Sequence, residues 1–255
     1  MKKIKALLLK ILGQERYLKL TGNLFFLSFH AGWLKNNPSY YTHYFVRHFI
    51  KPGQTVIDIG ANLGYYSLQF AHLTGPNGKL FSVEPISLYR NILVKNLKSY
   101  KNVTILPYAL GEVEGKIKMG NPGSDKHRHG LMRVLKNQDE ISNDFYEVDM
   151  KNPADLFKDL PEIDYIKCDI EGYEVPVIPL MQPIIAKHQP VLQIETEGEN
   201  YQVLYKMLKE MSYHLFYVNK QNLVPLNNPT DHLGGDLIGI PAGKMASYSK
   251  FIKAK

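Results

Sequence analysis

Acidic residues stand where two predicted strands end, and their positions favour a site for a nucleotide-like ligand. Asp58 interrupts an otherwise apolar run over Thr55–Gly60, and Glu84 ends the next strand-forming run. In a doubly wound sheet, an acidic residue at the latter position binds the ribose hydroxyls of a nucleotide. Asp58 is expected to be buried. A buried carboxylate needs a partner, which the ammonium group of a cationic cofactor would supply.

The loop after the first of these strands contains Gly60, Ala61, Asn62 and Gly64. Glycine has no Cβ and tolerates positive φ, so the backbone can come close to a ligand. The spacing is neither the Gly-x-Gly-x-x-Gly of dinucleotide sites nor that of a P-loop, which ends in Gly-Lys-Ser/Thr. The loop alone is also compatible with a tight strand–helix turn, and it is Glu84 that favours a ligand site.

A second set of acidic residues follows two later strands. Asp169 and Glu171 come at the end of one strand, and Glu195 and Glu197 come at the end of the next. Neighbouring parallel strands would bring these side chains to the same edge of the sheet as the Gly60 loop. Crowded carboxylates repel each other, which raises the pKa of at least one of them and favours a general base or a group that positions substrate.

Two other interpretations of these acidic residues stay open. Asp169 and Glu195 carry the hard oxygen ligands that Mg²⁺ prefers, so a divalent metal is an alternative. Glu171 and Glu174 are placed to cap the following helix and to bind its N-terminal amides. The sequence leaves the metal unknown.

The elements that must position these residues begin near Lys51, where strand and helix patterns start to alternate. This alternation predicts an α/β fold with a mostly parallel sheet and helices on both faces. The predicted strands are Thr55–Gly60, Leu80–Glu84, Val103–Leu106, Asp164–Asp169, Val191–Glu195, His214–Asn219 and Asp236–Pro241. The predicted helices are Tyr65–Leu73, 88–97, Ala154–Leu160, Val175–His188 and 200–211. Residues 111–145 are expected to be irregular, and they contain the basic patch His127-Arg128-His129.

We expect one main domain, residues 51–243, with a basic, aromatic-rich helical extension over residues 1–50 and a basic tail over residues 244–255. Residues 4–12 place isoleucine and leucine at helical spacing, with lysines on the other faces. Such a helix could lie on an anionic membrane surface, or it could pack on its own domain or a partner chain. Most aromatic residues of the 25–50 segment should pack the extension, and one or two could line a substrate cleft.

Composition narrows the function classes. A chain of 255 residues is long enough for one large α/β domain with a buried core. The single cysteine, Cys168, excludes an internal disulfide and a zinc site with several thiolates, and it favours a reducing compartment. No segment has the pattern of a membrane-spanning helix or a secretory signal. We therefore expect a cytoplasmic protein, with contact to the inner face of the membrane as an alternative.

The net charge of +7 is unevenly distributed along the chain. Residues 1–20 contain six basic residues and one acidic residue, and residues 244–255 contain four lysines and no acidic residue. The residues between them contain 21 basic and 23 acidic side chains. A nucleic-acid-binding domain would need a basic stripe across a folded face, so the nearly neutral main domain argues against a nucleic-acid partner.

Four motifs together resemble the FkbM family of S-adenosylmethionine-dependent methyltransferases. They are Asp58-Ile59-Gly60-Ala61-Asn62-Leu63-Gly64-Tyr65-Tyr66-Ser67, Ser82-Val83-Glu84-Pro85, Tyr108-Ala109-Leu110-Gly111 and Ile166-Lys167-Cys168-Asp169-Ile170-Glu171-Gly172-Tyr173-Glu174. The resemblance extends from about Lys51 to Pro241. It implies a Rossmann-like class I methyltransferase fold, with a seven-stranded, mostly parallel sheet whose last strand, Asp236–Pro241, is antiparallel.

The resemblance also implies a cofactor and a reaction. S-adenosylmethionine would lie with its ribose at Glu84 and its adenine near Tyr108 and Ala109. Its methionine end would be held by Asp58, Gly60, Ala61, Asn62 and Gly64. The candidate catalytic residues are Asp169, Glu171 and Glu195, which would orient or deprotonate a hydroxyl of a sugar, a glycan or another small molecule.

Two alternatives to this function follow from the same sequence. An RNA-directed methyltransferase would explain the total basic charge, but the chain lacks the Asn/Asp-Pro-Pro-Tyr motif of base amino methylation. A non-catalytic module that binds a membrane surface or a glycan could share the fold, since a fold does not prove activity. Such a module has no reason to bury Asp58, Glu84 and Asp169. Oligomer formation stays open.

Overall fold

The computed structural model describes residues 2–121, 133–135, 145–231 and 234–253, and in these residues the chain forms two β-sheets. The strands are β1 (Thr55–Ile59), β2 (Lys79–Val83), β3 (Val103–Leu106), β4 (Ala109–Leu110), β5 (Gly115–Gly120), β6 (Arg133–Val134), β7 (Phe145–Lys151), β8 (Tyr165–Cys168), β9 (Val191–Glu197), β10 (Tyr213–Asn219), β11 (Asn222–Pro225) and β12 (Gly234–Pro241).

The larger sheet has the strand order β11-β10-β12-β9-β8-β1-β2-β3. β1 pairs in parallel with β2 and β8, whereas β12 lies antiparallel between β9 and β10. This arrangement confirms the predicted mostly parallel sheet with an antiparallel strand over Asp236–Pro241. The seven expected strands are present in it, and β11 adds an eighth by pairing antiparallel with β10. The carboxyl ends of β1, β2, β8 and β9 share one edge, so the acidic residues predicted at those ends meet there.

Helices cover both faces of this sheet. They are α1 (Lys2–Leu12), α2 (Gln14–His30), α3 (Tyr41–Phe45), α4 (Ser67–Thr74), α5 (Ser87–Leu97), α6 (Pro153–Phe157), α7 (Glu174–Val177), α8 (Gln182–His188) and α9 (Glu199–Glu210). Successive strand side chains point to opposite faces. Ile57 of β1 therefore joins the core with α8 and α9, whereas Val56 joins the core with α4. The predicted helical region Val175–His188 is divided, because a 3₁₀ turn at Pro179–Met181 separates α7 from α8.

The smaller sheet was not predicted. It has the order β4-β7-β5-β6 and lies within the segment after β3. In β5 the two lysines alternate with Ile117 and Met119, which is the period of a strand with one covered face. The expectation of an irregular segment over residues 111–145 was therefore wrong for β5, because its polar content hid this alternation. The patch His127-Arg128-His129 lies outside the described residues.

Segments near both ends of the described chain pack on the main domain. Leu18 of α2 belongs to an apolar cluster that includes α5 residues. The ring of Phe49 stacks on that of Tyr165 in β8, with 5.9 Å between the centroids, and Phe251 meets Phe45 edge to face at 5.2 Å. Among the described helices, none combines the length and the apolar character needed to cross a bilayer.

Candidate active site

A cavity of about 360 Å³ opens at the carboxyl ends of β1, β2 and β8. The predicted site residues that line it are Gly60, Ala61, Asn62, Glu84, Asp169 and Glu171. Much of the remaining wall is aromatic and comes from Phe25, Tyr40, His43, Tyr65, Tyr66 and Tyr89. The sheet topology thus brings six predicted residues to the edge at which open α/β sheets bind ligands.

The loop after β1 is held close to the loop after β8. Gly60 has a φ of 78°, and a Cβ at this position would lie 1.8 Å from the carbonyl oxygen of Asp169. The amides of Gly60 and Ala61 both donate to the carbonyl oxygen of Val83 at the end of β2. Asn62 also has a positive φ, 52°. Only glycine fits at residue 60, because any side chain there would collide with backbone that cannot move freely.

Glu84 is fixed by the backbone around it. Its Oε2 accepts a hydrogen bond from the amide of Asn62 at 2.9 Å, and its Oε1 accepts one from the amide of Ile86 at 2.8 Å. The residue is 4% exposed, and burial raises the pKa of its carboxyl group to about 7. The carboxylate therefore ties the Gly60 loop to the end of β2 while it faces the cavity.

Asp58 lies beneath the cavity, and its partners come from the chain itself. It is fully buried, and its Oδ2 accepts a hydrogen bond from the Ser67 hydroxyl at 2.5 Å. Its Oδ1 lies 3.5 Å from Nζ of Lys167, which is its neighbour across the β1–β8 pairing. Burial raises the pKa of Asp58, and Lys167 opposes that shift. Lys167, rather than a cofactor ammonium, supplies the cation next to this carboxylate.

Lys167 links Asp58 to the catalytic edge. Its Nζ lies 3.1 Å from Oδ2 of Asp169 and donates to the carbonyl oxygen of Gly60 at 3.3 Å. Burial lowers the pKa of this lysine, but the charges of Asp169 and Asp58 outweigh burial and raise it. Lys167 is therefore a buried cation that holds β1, β8 and the Gly60 loop together.

The three candidate catalytic carboxylates form one cluster. Asp169, Glu171 and Glu195 each place an oxygen within 4.8 Å of the other two. Burial favours the neutral form of Asp169, but Lys167 and a hydrogen bond with Glu195 outweigh burial and lower its pKa. Burial and the charge of Asp169 raise the pKa of Glu195 to about 9 and that of Glu171 to about 7. Near neutral pH Asp169 is thus ionised, Glu195 holds a proton, and Glu171 is poised between its two forms.

The same oxygens are spaced so that a divalent cation could reach all three. Such an ion needs deprotonated ligands, whereas Glu195 keeps its proton up to a pKa of about 9. Lys167 already provides a positive charge next to Asp169. A shared proton and the ion pair with Lys167 thus balance the charge of this cluster, and a cation bound there would have to displace the proton of Glu195.

The predicted residues Tyr108, Ala109, Gly64 and Glu174 lie near the cavity but do not line it. Tyr108 and Ala109 line a smaller adjoining cavity of about 30 Å³, which shares Gly60 with the larger one. Gly64 packs against α5, where a Cβ would lie 2.9 Å from Leu93. Glu174 is buried and accepts hydrogen bonds from the amides of Ile170 and Gly172. Glu174 thus stabilises the loop before α7. Its contacts with backbone amides are similar to the capping role that the sequence left open for Glu174.

Sequence reasoning missed His43. Its ring stacks on Tyr66 with 3.6 Å between the centroids, and neither ring nitrogen has a hydrogen-bond partner among the described residues. Burial and the charge of Lys167 lower its pKa to about 3. His43 is therefore a neutral imidazole with one free donor and one free acceptor. The aromatic richness of residues 25–50 was the available signal, and Phe25 and Tyr40 from that segment do line the cavity.

The family model described as Methyltransferase FkbM domain matches residues 58–216, which is more than half of the chain. The chain belongs to the FkbM methyltransferase family. The matched range includes β2, β8, β9 and the carboxyl end of β1, so it contains the sheet edge at which the cavity opens.

Shorter likenesses accompany this family match. The FkbM-family chain is 41% identical over 56 residues to a protein-L-isoaspartate O-methyltransferase of Methanosarcina mazei, and that match covers 21% of this chain and 23% of the relative. The corresponding protein of Methanothermobacter thermautotrophicus is 36% identical over 59 residues, and that match covers 22% of this chain and 27% of the relative. The chain thus spans only about a quarter of the length of these curated relatives.

A solved structure of an FkbM methyltransferase from Methylobacillus flagellatus is 17% identical to this FkbM-family chain. The TM-score is 0.49, and the likeness covers 80% of this chain and 50% of that protein.

Proposed function

We propose that the chain transfers a methyl group from S-adenosylmethionine to a hydroxyl oxygen of a sugar, a glycan or another small molecule. One observation carries this proposal. In a member of the FkbM methyltransferase family, a single cavity has the Gly60 loop and Glu84 on one side and the Asp169–Glu171 carboxylates on the other. The first side suits a nucleoside, and the second suits a hydroxyl that must lose its proton.

The residues at the first side fit S-adenosylmethionine. Gly60 lets the loop after β1 pack against the loop after β8 at the cavity, and Glu84 presents a carboxylate at the position where ribose hydroxyls bind. Gly60, Ala61 and Asn62 would contact the methionine end, and Tyr108 with Ala109 would contact the adenine. Bound there, the cofactor supplies a sulfonium methyl group that an oxygen nucleophile can attack.

The residues at the second side handle the proton of the acceptor. Glu171 has a pKa of about 7, so its carboxylate can accept the hydroxyl proton near neutral pH. Asp169 stays ionised beside Lys167 and would orient the hydroxyl, and protonated Glu195 would donate to Asp169. The acceptor hydroxyl would give its proton to Glu171 as its oxygen takes the methyl group, and S-adenosylhomocysteine would be the by-product. Much of the rate gain would come from alignment and the exclusion of water.

The aromatic wall would receive the acceptor. Phe25 and Tyr40 offer apolar ring faces, and His43 adds a neutral imidazole whose buried nitrogens have no hydrogen-bond partner among the described residues. This combination suits a polyhydroxylated ring, which has apolar faces and a polar edge. A neutral imidazole also avoids repulsion with a sulfonium cation in the same cavity.

Calorimetric titration of the purified chain with S-adenosylmethionine and S-adenosylhomocysteine tests the cofactor. Saturable binding of both is expected, and absence of binding contradicts the proposal. Transfer of a labelled methyl group to a panel of hydroxyl acceptors then tests the reaction. The rate should rise as pH increases through about 7, because Glu171 must lose its proton. EDTA should leave the rate unchanged.

Variants separate the base from its surroundings. Glu171→Gln should lower kcat by about 10²–10⁴-fold, which is the range for loss of a general base, and should leave cofactor affinity intact. Glu197→Gln is the matched control, because Glu197 is exposed and ends β9 near the same edge. Equal activity of both variants would remove Glu171 from the mechanism.

A further inference from the structure

Exposed apolar side chains are concentrated at the N-terminal end of the described chain. Six leucine, isoleucine and tryptophan side chains within residues 7–33 are between 39% and 73% exposed. They are Leu7 and Ile11 of α1, Leu20, Leu24 and Leu27 of α2, and Trp33 in the turn that follows. Exposed apolar groups gathered in one segment mark a surface that binds another molecule.

Helix α2 is apolar on two opposite faces. Leu18, Phe25 and Phe29 point towards the domain, where Leu18 is buried and Phe25 lines the cavity. Leu20, Leu24 and Leu27 follow one another at spacings of four and three residues, so they share the opposite face. We call these three residues the outer apolar face. The inner side chains already have contacts within the fold, whereas the outer apolar face is exposed to solvent.

Basic residues accompany the outer apolar face. Residues 1–35 contain seven lysines and arginines and one acidic residue, Glu15. Glu15 is already neutralised, because its carboxylate lies 2.6 Å from Nζ of Lys19 and 3.2 Å from Nζ of Lys95. Lys5, Lys10 and other basic side chains of this segment are exposed. The segment therefore presents apolar and positively charged groups together.

We propose that α1, α2 and Trp33 dock this protein on an anionic lipid membrane. An amphipathic helix of this composition lies in the plane of the interface, with its apolar side chains among the acyl chains and its basic side chains near the anionic headgroups. Tryptophan is enriched at the same depth. None of the described helices can span the bilayer, so the attachment is peripheral.

Charge complementarity favours lipid over a second copy of the chain. Two copies that met through this segment would bring their basic residues together, and such juxtaposition of like charges is unfavourable. The same basic residues are attracted to the headgroups of an anionic membrane, which favours binding there. Docking also has a consequence for the cavity. Because Phe25 lines the cavity from the inner face of α2, the membrane would lie about one helix diameter, roughly 10 Å, from the cavity wall.

Trp33 makes the test direct, because it is the single tryptophan of the chain and is 73% exposed. Its fluorescence is measured in the full-length protein as vesicles are added. Vesicles of phosphatidylcholine with phosphatidylglycerol should shift the emission to shorter wavelength and protect Trp33 from a soluble quencher. Vesicles of phosphatidylcholine alone should do neither, and high salt should weaken the response.

Paired substitutions locate the surface. Leu20→Gln with Leu24→Gln should reduce the vesicle partition coefficient by roughly tenfold or more, because two apolar side chains no longer enter the interface. Val203→Gln on α9 is the matched control, since Val203 is 49% exposed outside this segment. Calorimetric binding of S-adenosylmethionine and the circular dichroism spectrum should be the same in all variants, which separates lost docking from lost folding.

Three results would overturn the proposal. One is no change of Trp33 fluorescence with anionic vesicles, and another is equal binding to neutral and anionic vesicles. The third is a dimer in light scattering that shields Trp33 without lipid and that the two glutamine substitutions dissociate, which would assign the outer apolar face to a second copy.

Discussion

The two sides of the cavity are built from different interactions, although acidic residues mark both. On the β1–β2 side, Glu84 is held by two backbone amides, and Gly60 is held by its close approach to the β8 loop. On the β8–β9 side, Asp169 and Glu195 are held mainly by charge, through Lys167 and a shared proton. The first side depends on backbone shape and backbone hydrogen bonds, and the second depends on charges shared among side chains.

This difference suggests which perturbation each side tolerates. A loop held by backbone contacts cannot accept an added atom, because backbone has few alternative positions. A carboxylate cluster accepts a change of side-chain shape more easily than the loop does. Removing the charge of one carboxylate, however, alters the pKa of the others. Four experiments address this contrast, and the largest effect is expected at the glycine.

Gly60→Ala should abolish cofactor binding and lower the free energy of unfolding by more than ~3 kcal/mol, because the new Cβ collides with the Asp169 carbonyl. Gly53→Ala is the control. Gly53 also has a positive φ, 89°, but a Cβ there would meet nothing within 4 Å. Gly53→Ala should lower the free energy of unfolding by only about 1–2 kcal/mol, which is the cost of the backbone conformation alone. Equal losses in urea unfolding would refute the shape argument.

Lys167→Met should lower the free energy of unfolding by about 3–5 kcal/mol, because it leaves Asp58 buried without its cation. Lys116→Met is the same substitution in an exposed ion pair with Glu147 and should leave the free energy of unfolding nearly unchanged, because solvent screens that pair. Adding Asp58→Asn to Lys167→Met should recover part of the loss. If the double variant were no more stable than Lys167→Met, the buried pair would not be the cause.

Glu84→Gln should weaken S-adenosylmethionine binding by about 1–3 kcal/mol. The two carboxylate oxygens of Glu84 each accept a hydrogen bond from a backbone amide, whereas glutamine has one oxygen and would place its NH₂ group against the other backbone N–H. Calorimetry measures the affinity. Glu112→Gln, at an exposed position, should leave the affinity unchanged. An unchanged affinity in Glu84→Gln would remove Glu84 from the cofactor site.

Glu195→Gln should have little effect on stability at acidic pH, but it should change how stability varies with pH. The pKa of Glu195 is raised from 4.5 in the unfolded chain to about 9, so its contribution is fully present below about 4.5 and is lost as pH rises towards 9. The variant has no such loss. The difference in Tm between the variant and the wild type should therefore shift in favour of the variant as pH rises across that interval.

Glu197→Gln is the control for this experiment, because Glu197 is exposed at the end of the same strand. Its Tm should follow the wild type at every pH. Parallel curves for Glu195→Gln and the wild type would show that the carboxylates of this side are not coupled, and the contrast between the two sides of the cavity would disappear.

Local sequence predicted most elements of the main sheet. Val103–Leu106 has the predicted bounds, because its apolar run is bordered by turn residues on both sides. The smaller sheet was missed, because β5 carries as many lysines as apolar side chains and the contrast needed to see a strand is weak. At the site, the strand-end acids were predictable because parallel strands present their carboxyl ends at one edge.

By itself, the sequence determined the loop glycines, the acidic strand ends and the basic N-terminal segment, since these depend on residue type and short spacing. Only the tertiary structure decided that Lys167 neutralises Asp58, because the β1–β8 register places the two side by side although they are distant in the chain. It also decided that His43 reaches the cavity and that α2 exposes a second apolar face. These outcomes depend on which elements pack together, and no local spacing encodes that.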